Sequence, residues 1–173
     1  MRNGVVRDTI DSRLKSPDGV DLVEAQIDDA SGLRVGIVVS RFNPQIGEAM
    51  LFAASAELKK MHLDSANGLL VIIVPGALEI PIAMQQMAAS ANVDAIIALG
   101  SVIRGDTYHF EVVANESCRG VMQVQLKYNI PIANGILTVD SSEQAWSRME
   151  HKAASCARTV VEMCNLLRKL AKA

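Results

Sequence analysis

The chain has 173 residues, with 17 Lys and Arg against 19 Asp and Glu, for a formal net charge of −2. That balance gives no general pull toward nucleic acid or an anionic membrane, and the length suits one ordinary domain with a real core. Half of the residues are hydrophobic yet only 3% are aromatic, a small-aliphatic surplus that often covers a subunit interface as well as a core, so self-association is expected.

Residues 1–21 alternate charged and small side chains around the breaker Ser16-Pro-Asp-Gly19 and are expected to form a disordered extension, leaving residues 22–173 as a single domain. The short apolar run from Leu22 to Ile27 is expected to form an edge strand, free to pair with its own sheet or with a neighbour's. No early basic segment leads into an apolar run, and no apolar stretch is long enough to span a bilayer. A soluble, cytoplasmic protein is expected.

From Leu33 the pattern becomes regular. The β-branched run Leu33–Val39 is followed by Gln45–Met61, where Ile46, Met50, Ala53, Ala54, Leu58 and Met61 share one helical stripe and Pro44 stands near the first turn. The cycle repeats as Leu69–Val74 then Glu79–Ala91, as Ala95–Leu99 then Phe110–Tyr128, and as Ile130–Leu137 followed by two helical stretches, Ser142 to about Glu150 and Ala153–Lys172. Ser141 or Ser142 supplies the N-cap of the first stretch, and Val160, Cys164, Leu167 and Ala171 form a stripe on the second. Four strand-helix units with continuous apolar strands predict a parallel sheet covered on both faces, a three-layer α/β/α sandwich.

In such a sheet the loops after the strands lie along one edge, where ligands bind. Here those loops are Ser40-Arg-Phe-Asn43, Val74-Pro-Gly-Ala-Leu-Glu-Ile-Pro81, Gly100-Ser-Val-Ile-Arg-Gly-Asp-Thr-Tyr-His-Phe110 and Thr138-Val-Asp140. The third is the most informative. Gly100 and Gly105 allow close backbone approach, and the amides of Gly105, Asp106 and Thr107 precede a helix, where orphan N–H groups and the macrodipole attract an anion. His109, about one turn inside that helix, could carry a proton beside the anion.

Phe42 can stack on a heterocycle or fold back onto the core. The turn at Pro75-Gly76 can read a polar ring through the backbone at Ala77, Leu78 and Glu79, or be a plain strand-to-helix turn with Glu79 as a first-turn acid. Cys118, Cys156 and Cys164 are odd in number, lack CxxC spacing and fall in predicted helices, which reads as buried reduced thiols. His62, His109 and His151 show no ligand spacing, so no protein-bound metal is expected.

Taken together, Arg41-Phe-Asn43, Val74–Pro81, Ala98–Phe110, Gly135-Ile-Leu-Thr138 and Glu143-Gln-Ala145 closely resemble the 6,7-dimethyl-8-ribityllumazine synthases of riboflavin biosynthesis. The resemblance runs from about Leu22 to the C-terminus. It implies condensation of 5-amino-6-(D-ribitylamino)uracil with 3,4-dihydroxy-2-butanone 4-phosphate, releasing phosphate and water, with no cofactor. It also implies a flavodoxin-like sheet and a homo-oligomer, a pentamer or an assembly of pentamers with sites between neighbouring subunits, and it makes riboflavin synthase a candidate partner.

Carried over residue by residue, Phe42 would stack on the pyrimidine, while Ala77, Leu78, Glu79, Ser101, Val102 and Ile103 would hold the ring and ribityl chain. Asp106 and Thr107 would receive the phosphate with help from Arg148, and His109 would move protons. Two departures stand out. Asn134 takes a position that is aromatic in many relatives, so the cover over the ring would be polar, and the link from Arg148 to Lys152 is shorter than usual. His151 and Lys152 also have the plain reading of solvated residues at a helix junction.

Other readings compete with this one. Gly100-x-x-x-x-Gly105-Asp106-Thr107 imitates a P-loop, but aspartate stands where the phosphates need lysine. A receiver-like module would need acidic residues where the chain has Ser40-Arg41 and Gly100-Ser101. A non-catalytic flavin- or lumazine-binding or shell-forming protein of the same fold is the remaining alternative, against which Phe42, His109 and Arg148 argue.

Overall fold

The computed structural model describes residues 18–20, 23–64, 66–90 and 92–172. In chain order the elements are β1 (Val35–Ser40), α1 (Pro44–Lys60), β2 (Leu69–Val74), a 3-10 turn (Ala77–Glu79) running into α2 (Ile80–Ala89), β3 (Ala95–Ile103), α3 (His109–Tyr128), β4 (Ile132–Val139), α4 (Ser142–Trp146) and α5 (Met149–Leu170). All pairings are parallel and the strand order is β2-β1-β3-β4. This is the expected α/β/α sandwich.

Each face of the sheet carries its own core layer. Ile46, Met50, Ala54 and Leu58 of α1 and Ala153, Cys156, Val160 and Cys164 of α5 bury one face. Ile80, Met84 and Met87 of α2 with Val121 and Val124 of α3 bury the other. The central strands β1 and β3 are buried almost throughout, as continuous apolar runs require. The stripe on α5 holds only to Cys164, since Leu167 is half-buried and Ala171 is exposed.

Among the differences from the sequence reading, three have a clear physical reason. Gly100 and Ser101 read as the start of a loop, yet β3 continues to Ile103 because β4 runs equally far and supplies partners, pairing Gly100 with Ile136 and Ile103 with Val139. With Gly100–Ile103 in a strand, the P-loop imitation has no loop to form. At the C-terminal end, α4 and α5 are separated only by Ser147 and Arg148, so His151 and Lys152 lie in the first turn of α5 and not at a junction. Ser141 is the N-cap of α4, its hydroxyl accepting from the Gln144 amide at 3.4 Å.

The third difference is the edge strand expected from Leu22 to Ile27. Leu22 lies outside the described residues, as do 1–17 and 21 of the expected disordered extension, and residues 23–27 carry no strand. Side chains of α5 hold this segment instead: Asn165 Nδ2 donates to the carbonyls of Gln26 and Asp29, both at 2.9 Å, and Lys169 Nζ donates to the Glu24 carbonyl at 2.6 Å. Carbonyls engaged this way are lost to a ladder within the chain's own sheet.

Candidate active site

The chain leaves β1 toward β2 on one side and leaves β3 toward β4 on the other, so the strand order reverses between β1 and β3. The crevice outside the carboxyl ends of those two strands is where an open parallel sheet can admit a ligand. A cavity of about 460 Å³ lies there, within the usual size range for small-molecule sites.

Unequal strand lengths help to shape it. β1 pairs with β3 only as far as Val39 opposite Leu99, whereas β3 continues to Ile103 beside β4. Ser101, Val102 and Ile103 therefore stand above the β1 pairing and form one wall of the cavity. Gly100 gives room beneath them, because a Cβ there would lie 2.5 Å from Ser40 Oγ and force that hydroxyl to move.

The loop after β1 is braced against the loop after β2, with the Arg41 amide donating to the Val74 carbonyl at 2.9 Å and the Phe42 amide to the Pro75 carbonyl at 3.2 Å. This fixes the backbone of Phe42, a residue that is 70% exposed and lines the cavity. Folding back onto the core, the other reading of Phe42, does not occur. Next to it, Asn43 adopts the left-handed conformation at φ 59°, starts α1 with its carbonyl, and donates from Nδ2 to Ser101 Oγ at 3.1 Å.

Of the residues singled out in the sequence, Phe42, Ala77, Leu78, Glu79, Ser101, Val102, Ile103, Thr107 and His109 all line this cavity. His109 is the first residue of α3, a turn earlier than expected, because Tyr108 already occupies the cap position. Gly105 and Thr107 line the cavity, while Asp106 between them is exposed and does not. The amides of Asp106, Thr107 and Tyr108 have no acceptor among the described residues; the first two belong to the loop before α3, and that of Tyr108, the cap residue, is an orphan donor of the helix start.

Two expected site residues stand apart. Asn134, on β4, accepts at Oδ1 from the Ile136 amide at 3.0 Å and donates from Nδ2 to Cys118 Sγ at 3.3 Å. Arg148 caps α5 and donates from Nη1 to the Gln144 carbonyl at 3.0 Å and to Ser147 Oγ at 2.9 Å. Neither lines the cavity within one subunit. The expectation that all four loops share one crevice is corrected accordingly: three line it, and the fourth does not, its Asp140 accepting from Arg104 Nε at 2.9 Å beside the third loop.

The sequence reading missed Phe110 and Val113, which line the cavity from α3. Their signal was present as a three-residue spacing next to His109, on the helix face that turns toward the loops. Arg104, at the end of the loop beside the cavity, is paired with two carboxylates. Arg104 also donates to Glu111, holding that carboxyl below the usual carboxylate range, and the Glu111 and Asp140 carboxylates raise Arg104 above its ordinary value.

The cysteines are thiols, with Cys156 and Cys164 buried and Cys118 half-buried. Burial, aided by the Asp94 carboxylate, pushes Cys164 up to about 12. Among the described residues there is no group of three or more His, Cys, Asp or Glu side chains that could hold a metal ion, and no helix is long and apolar enough to cross a membrane.

Fold and cavity together define a flavodoxin-like α/β protein with a cavity of small-molecule size at its switch point. Residues 32–168 match the family model for 6,7-dimethyl-8-ribityllumazine synthase. The protein of that name from Nitrosomonas europaea is 55% identical over 139 residues, covering 80% of this chain and 84% of the relative. Its counterpart from Cupriavidus necator is 53% identical over 142 residues, 82% and 85% of the two chains, and that from Nitrosospira multiformis 54% over 138, 80% and 86%. The chain belongs to the 6,7-dimethyl-8-ribityllumazine synthase family.

Proposed function

We propose that this protein condenses 5-amino-6-(D-ribitylamino)uracil with 3,4-dihydroxy-2-butanone 4-phosphate to 6,7-dimethyl-8-ribityllumazine, phosphate and two waters. The observation that carries this reading is the meeting, in one cavity of a family member, of an exposed aromatic ring, an imidazole and Thr107 of a loop whose amides have no acceptor among the described residues. Each part matches one demand of the chemistry. Phe42 offers a flat face for the pyrimidine, Ala77–Glu79 and Ser101–Ile103 surround the ring and ribityl chain, and the amides at Asp106 and Thr107 receive the phosphate.

The 5-amino group attacks the ketone, water leaves to give an imine, phosphate is expelled, and closure of the second ring releases the second water. Every stage moves a proton, and His109 stands at the cavity beside the anion loop, where it can relay protons between nitrogen, oxygen and solvent. Holding two reactants together supplies much of the remaining acceleration.

Arg148 and Asn134 belong to this reading only through a neighbour. In a homo-oligomer of pentameric type, Arg148 of one copy would meet the phosphate held by the next, with Asn134 nearby as a polar cover. Large exposed apolar side chains such as Ile73 and Leu126 support association, and riboflavin synthase, which uses the lumazine product, is a candidate partner in the cytoplasm. Incubation of the pure protein with both substrates is expected to yield lumazine fluorescence. His109→Ala should lower turnover by roughly ten- to ten-thousand-fold with assembly intact, and an unchanged single-turnover rate would remove His109 from the chemistry.

A further inference from the structure

We propose that Arg104 is a positioning residue for the phosphorylated substrate: it clasps the 105–108 loop at its base and cancels two carboxylates that would repel a phosphate. This inference rests on the reading above that the loop receives the phosphate.

Arg104 directly follows β3 and makes four contacts with the elements that flank the loop. Its amide donates to the Val139 carbonyl at 2.9 Å, and its Nε donates to Asp140 Oδ1 at 2.9 Å, so backbone and side chain both tie the end of β3 to the end of β4. Its Nη1 donates to Glu111 in the first turn of α3, and its guanidinium carbon lies 4.0 Å from the centroid of the Phe110 ring. The segment closed between Arg104 and Glu111 contains the free amides and His109, so the clasp sets where both stand relative to the cavity wall formed by Phe110.

Charge gives the second half of the argument. One guanidinium faces two carboxylates, and its fork is engaged by both of them, which leaves it poorly placed to serve as a phosphate ligand in its own right. Without it, Glu111 and Asp140 would stand uncompensated beside an anion site at an exposed rim, well within a Debye length of the loop. A lysine cannot reproduce this arrangement, because a point charge on a flexible stem cannot bridge two acids and stack on a ring together.

The test is a kinetic cycle on the assembled protein with both substrates, plus inhibition by inorganic phosphate, the reaction product. Arg104→Gln is expected to raise KM for the butanone phosphate and weaken phosphate inhibition by roughly five- to fiftyfold, to lower kcat, and to leave KM for the uracil within about twofold. Adding Glu111→Gln to Arg104→Gln should restore much of the phosphate affinity while kcat stays low, since charge is relieved but the clasp is not rebuilt. Equal changes in both KM values, or no recovery in the double variant, would overturn the proposal.

If Arg104→Gln does not assemble, Arg104→Lys takes its place: near-normal phosphate inhibition with reduced kcat is expected, and wild-type values of both would overturn the proposal. Wild-type turnover separates the two levels. No lumazine from the wild type strikes the proposed function, whereas normal wild-type turnover with unaltered variants strikes only the role of Arg104.

Discussion

Asn43 shows how one side chain can serve fold and site together. Its left-handed backbone at φ 59° would be tolerated by glycine but costs a β-carbon residue about 1 kcal/mol or more, and its amide also holds the Ser101 hydroxyl in the cavity wall. Asn43→Ala should therefore destabilise by roughly 1–3 kcal/mol and Asn43→Gly by only about 0.5–1.5, read from urea unfolding at one protein concentration. Equal losses would show that the backbone conformation carries no cost. Neither that conformation nor the bond to Ser101, 58 residues away, can be read from the tripeptide Arg41-Phe-Asn43. The loop could be marked as chemically distinctive, but the orientation of Phe42 waited on its bracing by Val74 and Pro75.

Among the elements, helices and central strands follow from local pattern, while their ends were settled by partners. β3 outruns the apolar segment Ala95–Leu99 because β4 offers hydrogen bonds to Gly100 and Ser101, which have little strand character of their own, and carries the ladder on to Val102 and Ile103; that extension builds the cavity wall. The packing of α1 against α5 adds a contact that no local pattern announces. Arg158 Nη1 donates to Glu57 Oε1 at 2.6 Å, with the Glu57 side chain only 17% exposed. Burial pushes Glu57 upward, but the bonds from Arg158 and Lys60 outweigh it and hold the carboxyl below its ordinary value. A carboxyl depressed in this way adds stability above its unfolded-state value and gives it up as the pH falls through the folded value. Arg158→Met is thus expected to cost about 1–3 kcal/mol near pH 7, and the difference from wild type should shrink below about pH 4 in unfolding curves taken across that range.

For the whole molecule, the strand order places three chemically distinctive loops at one crevice and leaves apolar surface in the open. β2 is a run of aliphatic residues, yet as an edge strand it leaves Leu70, Val71 and Ile73 exposed, the last at 66%. An uncovered apolar edge favours association, and a lysine there opposes it. The wild type is expected to sediment far above the 18.6 kDa of one chain, and Ile73→Lys to shift it toward that mass. A wild-type monomer at micromolar concentration would defeat the expectation.

The order of elements, the parallel sheet, the two-sided core and the kinship with lumazine synthases were all legible in the amino-acid sequence, because they rest on local periodicity and on short motifs whose residues are neighbours in the chain. Tertiary structure alone decided that β3 reaches Ile103, that residues 23–27 lie on α5, that Asn134 and Arg148 stand away from the cavity of their own subunit, and that Arg104 is bound to Glu111 and Asp140. These are outcomes of competition between distant groups for the same hydrogen bonds and charges, and their winners depend on which strands and helices packing brings side by side.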